Sequence, residues 1–186
     1  MRPCSTTFID HYTFTDQDVL LFDTNIWFFI YGPQKPKDSK VSIYSNALKH
    51  ILAANSQIYI DTLIISEFIN TYSRRQFQII QEIKNKPYTD FKSFRKSKDF
   101  TDISKDISET VKQILKNCRL TKIEFELDDM VRLLTEYAIG NSDFNDQIIV
   151  DICRKNKLKL VTDDGDFKSA DISIVTANQS LLTRAY

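Results

Sequence analysis

The stretch VLLFDTNIWFFIY, residues 19–31, decides the fold. Val19 to Phe22 are apolar at every position, as in a strand buried on both faces of a parallel sheet. IWFFIYG then suits a short helix or turn, stopped by Gly32-Pro33 and Pro36. Between the two stand a carboxylate, a hydroxyl and an amide: Asp23, Thr24 and Asn25. A buried charge is costly unless something pairs with it. The rest of the chain must therefore supply a partner for Asp23.

Downstream, short apolar runs alternate with helical patterns. SKVSIYSNALKHILAAN (39–55) has apolar residues at helical spacing, with Ser39 as cap and Asn55 as stop. QIYI (57–60) reads as a second strand, and TLIISEFINTYSRRQFQIIQEI (62–83) as a long helix. Its stripe runs through Ile64, Phe68, Tyr72, Ile79 and Ile83. KNKPYTDFKSFRKSKDF (84–100) breaks the pattern, and residues 102–118 resume as helix. RLTKIEFEL (119–127) suits an extended segment containing a strand. Helices follow at 128–140, ended by Gly140, and at 142–157; LKLVT and DISIVT are strands flanking the turn DDGDF. Strands alternating with helices predict a three-layer α/β/α sandwich around a mainly parallel sheet. Residues 1–18 read as a polar N-terminal extension, and 19–186 as one domain with a basic, helical insertion near 84–120.

Composition narrows the classes. An apolar fraction of 42% in 186 residues supports a real core. The formal net charge is zero, so any nucleic-acid-binding surface must be local. Three glycines argue against Gly-rich phosphate loops. Cys4, Cys118 and Cys153 are odd in number and scattered, with no zinc spacing, which fits free thiols in a reducing cytoplasm. Residues 19–31 are too short and interrupted to span a bilayer, and Arg2 is not followed by an apolar signal core.

In an open parallel sheet, sites form beyond the carboxyl ends of the strands. Asp23 sits at one such end; Asp163, Asp164 and Asp166 follow another. Asp146 lies in the first turn of an apolar helix, and Glu67 borders the stripe of the long one. Each has a plain structural reading. Asp23 can cap a helix, Asp143 and Asp146 can be a cap and a first-turn acid, Glu67 can be a solvated helix residue, and 163–166 can be a turn. Together they are a set of acids that repel one another unless a hard cation lies among them. Oxygen donors without His or Cys fit Mg²⁺ or Mn²⁺ better than Zn²⁺.

Four stretches, in order, resemble the PIN-domain family: LLFDTNIW, ISEFINTY, FNDQIIVDICRKN and LVTDDGDF. The resemblance covers about residues 19–176, apart from the segment near 84–120. It implies a metal-dependent endoribonuclease with Asp23, Glu67, Asp146 and Asp164 as metal-binding and catalytic acids. Asn25 and Thr162 become supporting polar residues, Asp143 and Asp166 extra ligands or orienting groups, and Asp163 ranks below Asp164. Compact VapC-like members are toxins of type II toxin–antitoxin pairs. The resemblance therefore also implies a small antitoxin partner and a homodimer, although this chain is longer, before Asp23 and after Arg75.

KNKPYTDFKSFRKSK carries six cations against Asp90, with Tyr88, Phe91 and Phe94 interleaved. Arg74, Arg75, Lys92, Arg95 and Lys96 are its candidates for holding RNA, with aromatic faces for unpaired bases. The plain alternative is a solvated basic excursion whose aromatics dock on the core or on a partner chain. Beside the nuclease stand two rivals and one compatible reading, an antitoxin-bound regulatory protein in which the apolar and basic segment 84–120 is an interaction surface. One rival is a PIN-like module that binds RNA or protein without cutting. The other is a phosphatase with a nucleophilic Asp23, which usually needs a second acid two residues on, where this chain has Asn25.

Overall fold

The computed structural model describes residues 5–33, 38–122, 125–140 and 143–182. Pro36, Cys4, Arg2 and parts of the 119–127 and 142–157 segments lie outside the described residues. Within them, six strands form one sheet: β1 (Thr6–Phe8), β2 (Val19–Phe22), β3 (Gln57–Ile60), β4 (Cys118–Leu120), β5 (Lys159–Val161) and β6 (Ile174–Thr176). Their order is β1-β6-β5-β2-β3-β4, and every neighbouring pair is parallel. β2 is central, and Leu20, Leu21 and Phe22 are buried, as an apolar run flanked on both faces requires.

The helices are α1 (Thr24–Tyr31), α2 (Ser39–Ala53), α3 (Thr62–Ile83), α4 (Phe91–Phe94), α5 (Lys98–Leu115), α6 (Leu127–Tyr137), α7 (Phe144–Asn156) and α8 (Gln179–Leu182). Right-handed crossovers put the helices between β2 and β4 on one face of the sheet and those between β4 and β5 on the other. The packing agrees: α1 lies on α2 and α3, α3 on α5, and α6 on α7. The result is the α/β/α sandwich expected. Gly32 ends α1 for a steric reason, because a Cβ there would meet the Phe28 carbonyl oxygen at 2.5 Å.

Several local expectations need correction. The supposed polar extension adds β1 to the sheet, with Thr6 opposite Ile174 and Phe8 opposite Thr176. Its alternation is too short to read as a strand; pairing with β6 makes it one. The segment is then fastened below the sheet by Asp18, which accepts from the Tyr12 hydroxyl (2.6 Å), the Thr15 amide (2.8 Å) and Lys159 Nζ. The cap of α2 is Asp38, accepting from the Lys40 amide, rather than Ser39. Asn55 follows as the stop, in the left-handed region at φ 58°. Ile83, placed on the α3 stripe, is 77% exposed, because the apolar stripe of α3 leaves the sheet before its last turn.

The interleaved aromatics also turn inward. Phe94 is fully buried, with ring centroids 5.3 Å from Phe77, 5.4 Å from Tyr88 and 5.4 Å from Phe100. Four residues cannot hold a helix by backbone bonding alone. α4 is held by this aromatic cluster and by a capping box in which the Asp90 carboxylate accepts from the Ser93 amide. These rings therefore pack inward on a local aromatic cluster with Phe77 and Phe100, apart from the main core. Replacing Phe94 with Ala is expected to cost about 3–5 kcal/mol of unfolding free energy by urea denaturation. An unchanged midpoint would contradict this packing.

An acidic pocket at the carboxyl ends of the central strands

The chain leaves β2 towards β3 on one side and returns to β5 on the other, so the crevice between β2 and β5 is the point where strand order reverses. Two loops meet there. Asp23 follows β2 and caps α1; Thr162 to Asp164 follow β5. Asp23 is 6% exposed, and its carboxylate accepts from the Thr24 amide (2.6 Å), Asn25 Nδ2 (2.5 Å) and the Thr162 hydroxyl (2.7 Å). Thr162 Oγ1 in turn accepts from the Asp164 amide at 3.0 Å, which ties the second loop to the first. The partners that the opening sequence demanded for Asp23 thus include a hydroxyl 139 residues away.

Helices bring the other acids. The Thr24 hydroxyl donates to Glu67 of α3 at 3.0 Å. Asp143 caps α7 by accepting from the Asn145 amide at 2.8 Å, and Asp146 stands in the first turn of that helix. Asp164 caps the 3₁₀ turn Gly165–Ser169 by accepting from the Asp166 amide. All six acids, Asp23, Glu67, Asp143, Asp146, Asp164 and Asp166, line one open pocket of about 470 Å³. Asn25 lines it too, and Thr162 supports it from beneath, fully buried. Capping and pocket-lining are therefore not alternatives here: the same carboxylates do both.

Asp163 departs from this set. It turns away and accepts from Lys40 Nζ (2.7 Å) and the Tyr44 hydroxyl (2.7 Å) of α2. The Tyr44 oxygen also accepts from the Ala177 amide (2.9 Å), and Asn25 Oδ1 accepts from the Asp163 amide (3.2 Å). Lys40 and Tyr44 thereby hold the loop that presents Asp164, a role no sequence signal announced, because their partner lies 119 or more residues away. Phe28, Phe29, Thr71 and Asn145 also line the pocket and were not anticipated. Thr71 was within reach of sequence reasoning, being one turn from Glu67, and Asn145 sits beside Asp146 in the quoted motif.

Arg74, Arg75, Lys92, Arg95 and Lys96 do not line the pocket. Arg74 lies over the Phe91 ring at 5.0 Å, Arg95 over Phe100 at 6.0 Å, and Arg75 donates to Gln78. Lys92, on α4, and Lys96, just past its C-cap, are exposed.

The crowding has an electrostatic cost. Burial pushes the Asp23 pKa up to about 6, against hydrogen bonds from Thr162 and Thr24, while Glu67 and Asp164 add repulsion. Burial, then the charges of Asp23, Asp164, Asp143 and Asp166, push Asp146 up to about 7. Hard oxygen donors of this kind suit a hard divalent cation. Among the described residues no three acids are already closed around one point as a finished ligand set. That is compatible with magnesium, which takes one or two carboxylates and keeps several waters.

A family model described as PIN domain matches residues 20–173. The chain belongs to the PIN-domain family. PIN domains are generally nucleases and typically use divalent metal ions. The fold is also similar to a chain in the crystal structure of VapBC2 from Rickettsia felis bound to a DNA fragment from their promoter. The TM-score is 0.53 at 20% identity, over 85% of this chain and 98% of that one. No curated protein matches the chain. Among the described residues of this PIN domain, no helix is long and apolar enough to cross a membrane.

The raised acids make a signed prediction. The folded, metal-free PIN domain holds protons on Asp23 and Asp146 that the unfolded chain releases near pH 4. Its stability should therefore fall as pH rises from about 4 to about 7. In chelator, the thermal midpoint of wild type is expected to drop more between pH 5 and 8 than that of Asp146→Asn. Added Mg²⁺ should restore the wild type at pH 8. Identical profiles in the two proteins would contradict the crowding.

Proposed function

We propose that this chain is a Mg²⁺- or Mn²⁺-dependent endoribonuclease that hydrolyses RNA phosphodiester bonds, with Asp23, Glu67, Asp146 and Asp164 as its metal-holding acids. The observation that carries the reading is the convergence of six carboxylates on one open pocket, two of them with pKa values driven up by burial and by their neighbours. Such an arrangement is unfavourable when empty, and family membership supplies a chemistry that uses it. A bound divalent cation supplies a lowered pKa for water and neutralises charge developing on the phosphate.

The residues of the chain do the positioning. Three donors fix the Asp23 carboxylate, so its oxygens face the pocket in one orientation. The Thr24 hydroxyl orients Glu67, and Thr162 holds the backbone at Asp164. Asp143 and Asp166, at the rim, serve as orienting groups or further ligands.

The biological setting proposed is that of a cytoplasmic type II toxin, a homodimer restrained by a small antitoxin. Its support is the fold likeness to a chain of the VapBC2 complex. A second reading, a PIN-like module that binds RNA or protein without cutting, draws on the lack of a ready-made three-acid ligand set among the described residues.

Incubation of tRNA, rRNA fragments and single-stranded oligonucleotides with wild type and Asp146→Asn, in Mg²⁺, Mn²⁺ or chelator, separates the two. Cutting that needs metal and falls to background in the variant is expected; Asp23→Asn should behave the same while keeping its fold by circular dichroism. Full activity in either variant would overturn the assignment, and neither cutting nor metal binding would favour the module.

A further inference from the structure

The cations near α4 stand outside the acidic pocket, yet α3 connects the two. Glu67, Thr71 and Arg74 are spaced four and three residues apart, so they lie along one side of α3. Glu67 and Thr71 line the pocket. Arg74, next along that line, lies over Phe91, the first residue of α4. Phe77 meets both Phe91 and Phe94. α4 is thus seated beside the part of α3 that lies roughly 10 to 15 Å beyond Glu67, at 1.5 Å of rise per residue.

α4 is also a stiff platform. Its buried Phe94 and its capping box leave little freedom to the backbone that carries Lys92, Arg95 and Lys96, all three exposed. Nearby acids make their contacts elsewhere. Asp90 is engaged as the helix cap, and Asp99 accepts from Lys84 and Tyr88. Among the described residues neither Lys92 nor Lys96 has an acidic partner within ion-pair distance. In a chain of zero net charge, this is a local positive surface beside a pocket that by itself repels phosphate.

We propose that Arg74, Lys92 and Lys96 form a track that grips the phosphates of a single RNA strand to one side of the acidic pocket. The inference rests on the nuclease reading for the direction of the strand, since it takes the pocket as the place where a phosphate is cut. At 3.4 Å per stacked nucleotide, the separation corresponds to roughly three to four nucleotides. The substrate class is therefore RNA with an unpaired segment of at least that length flanking the cut. Contacts of this kind hold the backbone and carry little base information. An acidic protein segment is the other occupant for such a surface. RNA is favoured because Arg74 continues the line of Glu67 and Thr71 out of the pocket to the start of α4, and because the aromatics that could anchor a protein partner are turned into the mini-core.

The test is fluorescence anisotropy in chelator, with labelled oligouridylates of about three and about twelve nucleotides, a range that brackets common single-strand site sizes. Wild type is compared with Lys92→Ala/Lys96→Ala over a series of salt concentrations. For the longer RNA, the variant should bind more weakly, and its log–log salt slope should be shallower by about 1.4, the loss of two phosphate contacts on a single strand. The shorter RNA, which in chelator meets only the track, should bind more weakly than the longer one and should also lose affinity in the variant. Equal affinities and slopes for both proteins would overturn the track. So would a variant that keeps RNA binding but loses binding to polyglutamate, which would assign the surface to an acidic protein. Because binding is read without metal, an absence of RNA cleavage would strike the catalytic reading and leave the track standing.

Discussion

Everything at the centre of this molecule answers to one buried carboxylate. Asp23 ends a strand enclosed on both faces, and a charge there needs donors that β2 cannot provide from its own backbone. The donors come from the next turn of chain and from Thr162 at the end of β5. That demand is met where β5 pairs with β2, at the crevice where strand order reverses, and Thr162 there also ties in the Asp164 loop. The hydrogen bonds do not cancel the cost of burial, since the Asp23 pKa remains well above the ordinary carboxylate range.

The other acids are placed by helix termini. Asp143 and Asp146 at the start of α7, and Asp164 at the start of a 3₁₀ turn, gain backbone hydrogen bonds or a favourable helix end. Local capping thus offsets part of the repulsion that the pocket imposes. Asp163 is the exception that clarifies the rule. One residue before Asp164, it turns outward to Lys40 and Tyr44, so the loop contributes one carboxylate to the pocket and uses its neighbour as a fastening.

Much of this was legible because it is local. Apolar runs identified β2, β3, β5 and β6, and acids at strand and helix ends identified the pocket. What escaped the sequence depends on distant partners. Thr6–Phe8 becomes a strand only against β6, and Lys40 and Tyr44 acquire their role only where Asp163 meets them. Phe91 and Phe94 have a spacing that fits either a solvent-facing stacking surface or a small aromatic core; burial decides it, and periodicity does not report burial. Ile83 shows the converse, a periodic position whose helix has outrun the sheet beneath it.

The strand order also sets a timetable. Among the described residues β1 has β6 as its one strand partner, with Thr6 opposite Ile174, far along the chain. Asp23 likewise waits for Thr162, 139 residues further on. Long-range parallel pairing of this kind closes late, since its loop entropy must be overcome before any contact rewards it. Until those distant segments meet, the acids of the pocket stand apart. The completed sheet and the assembled pocket therefore arrive together.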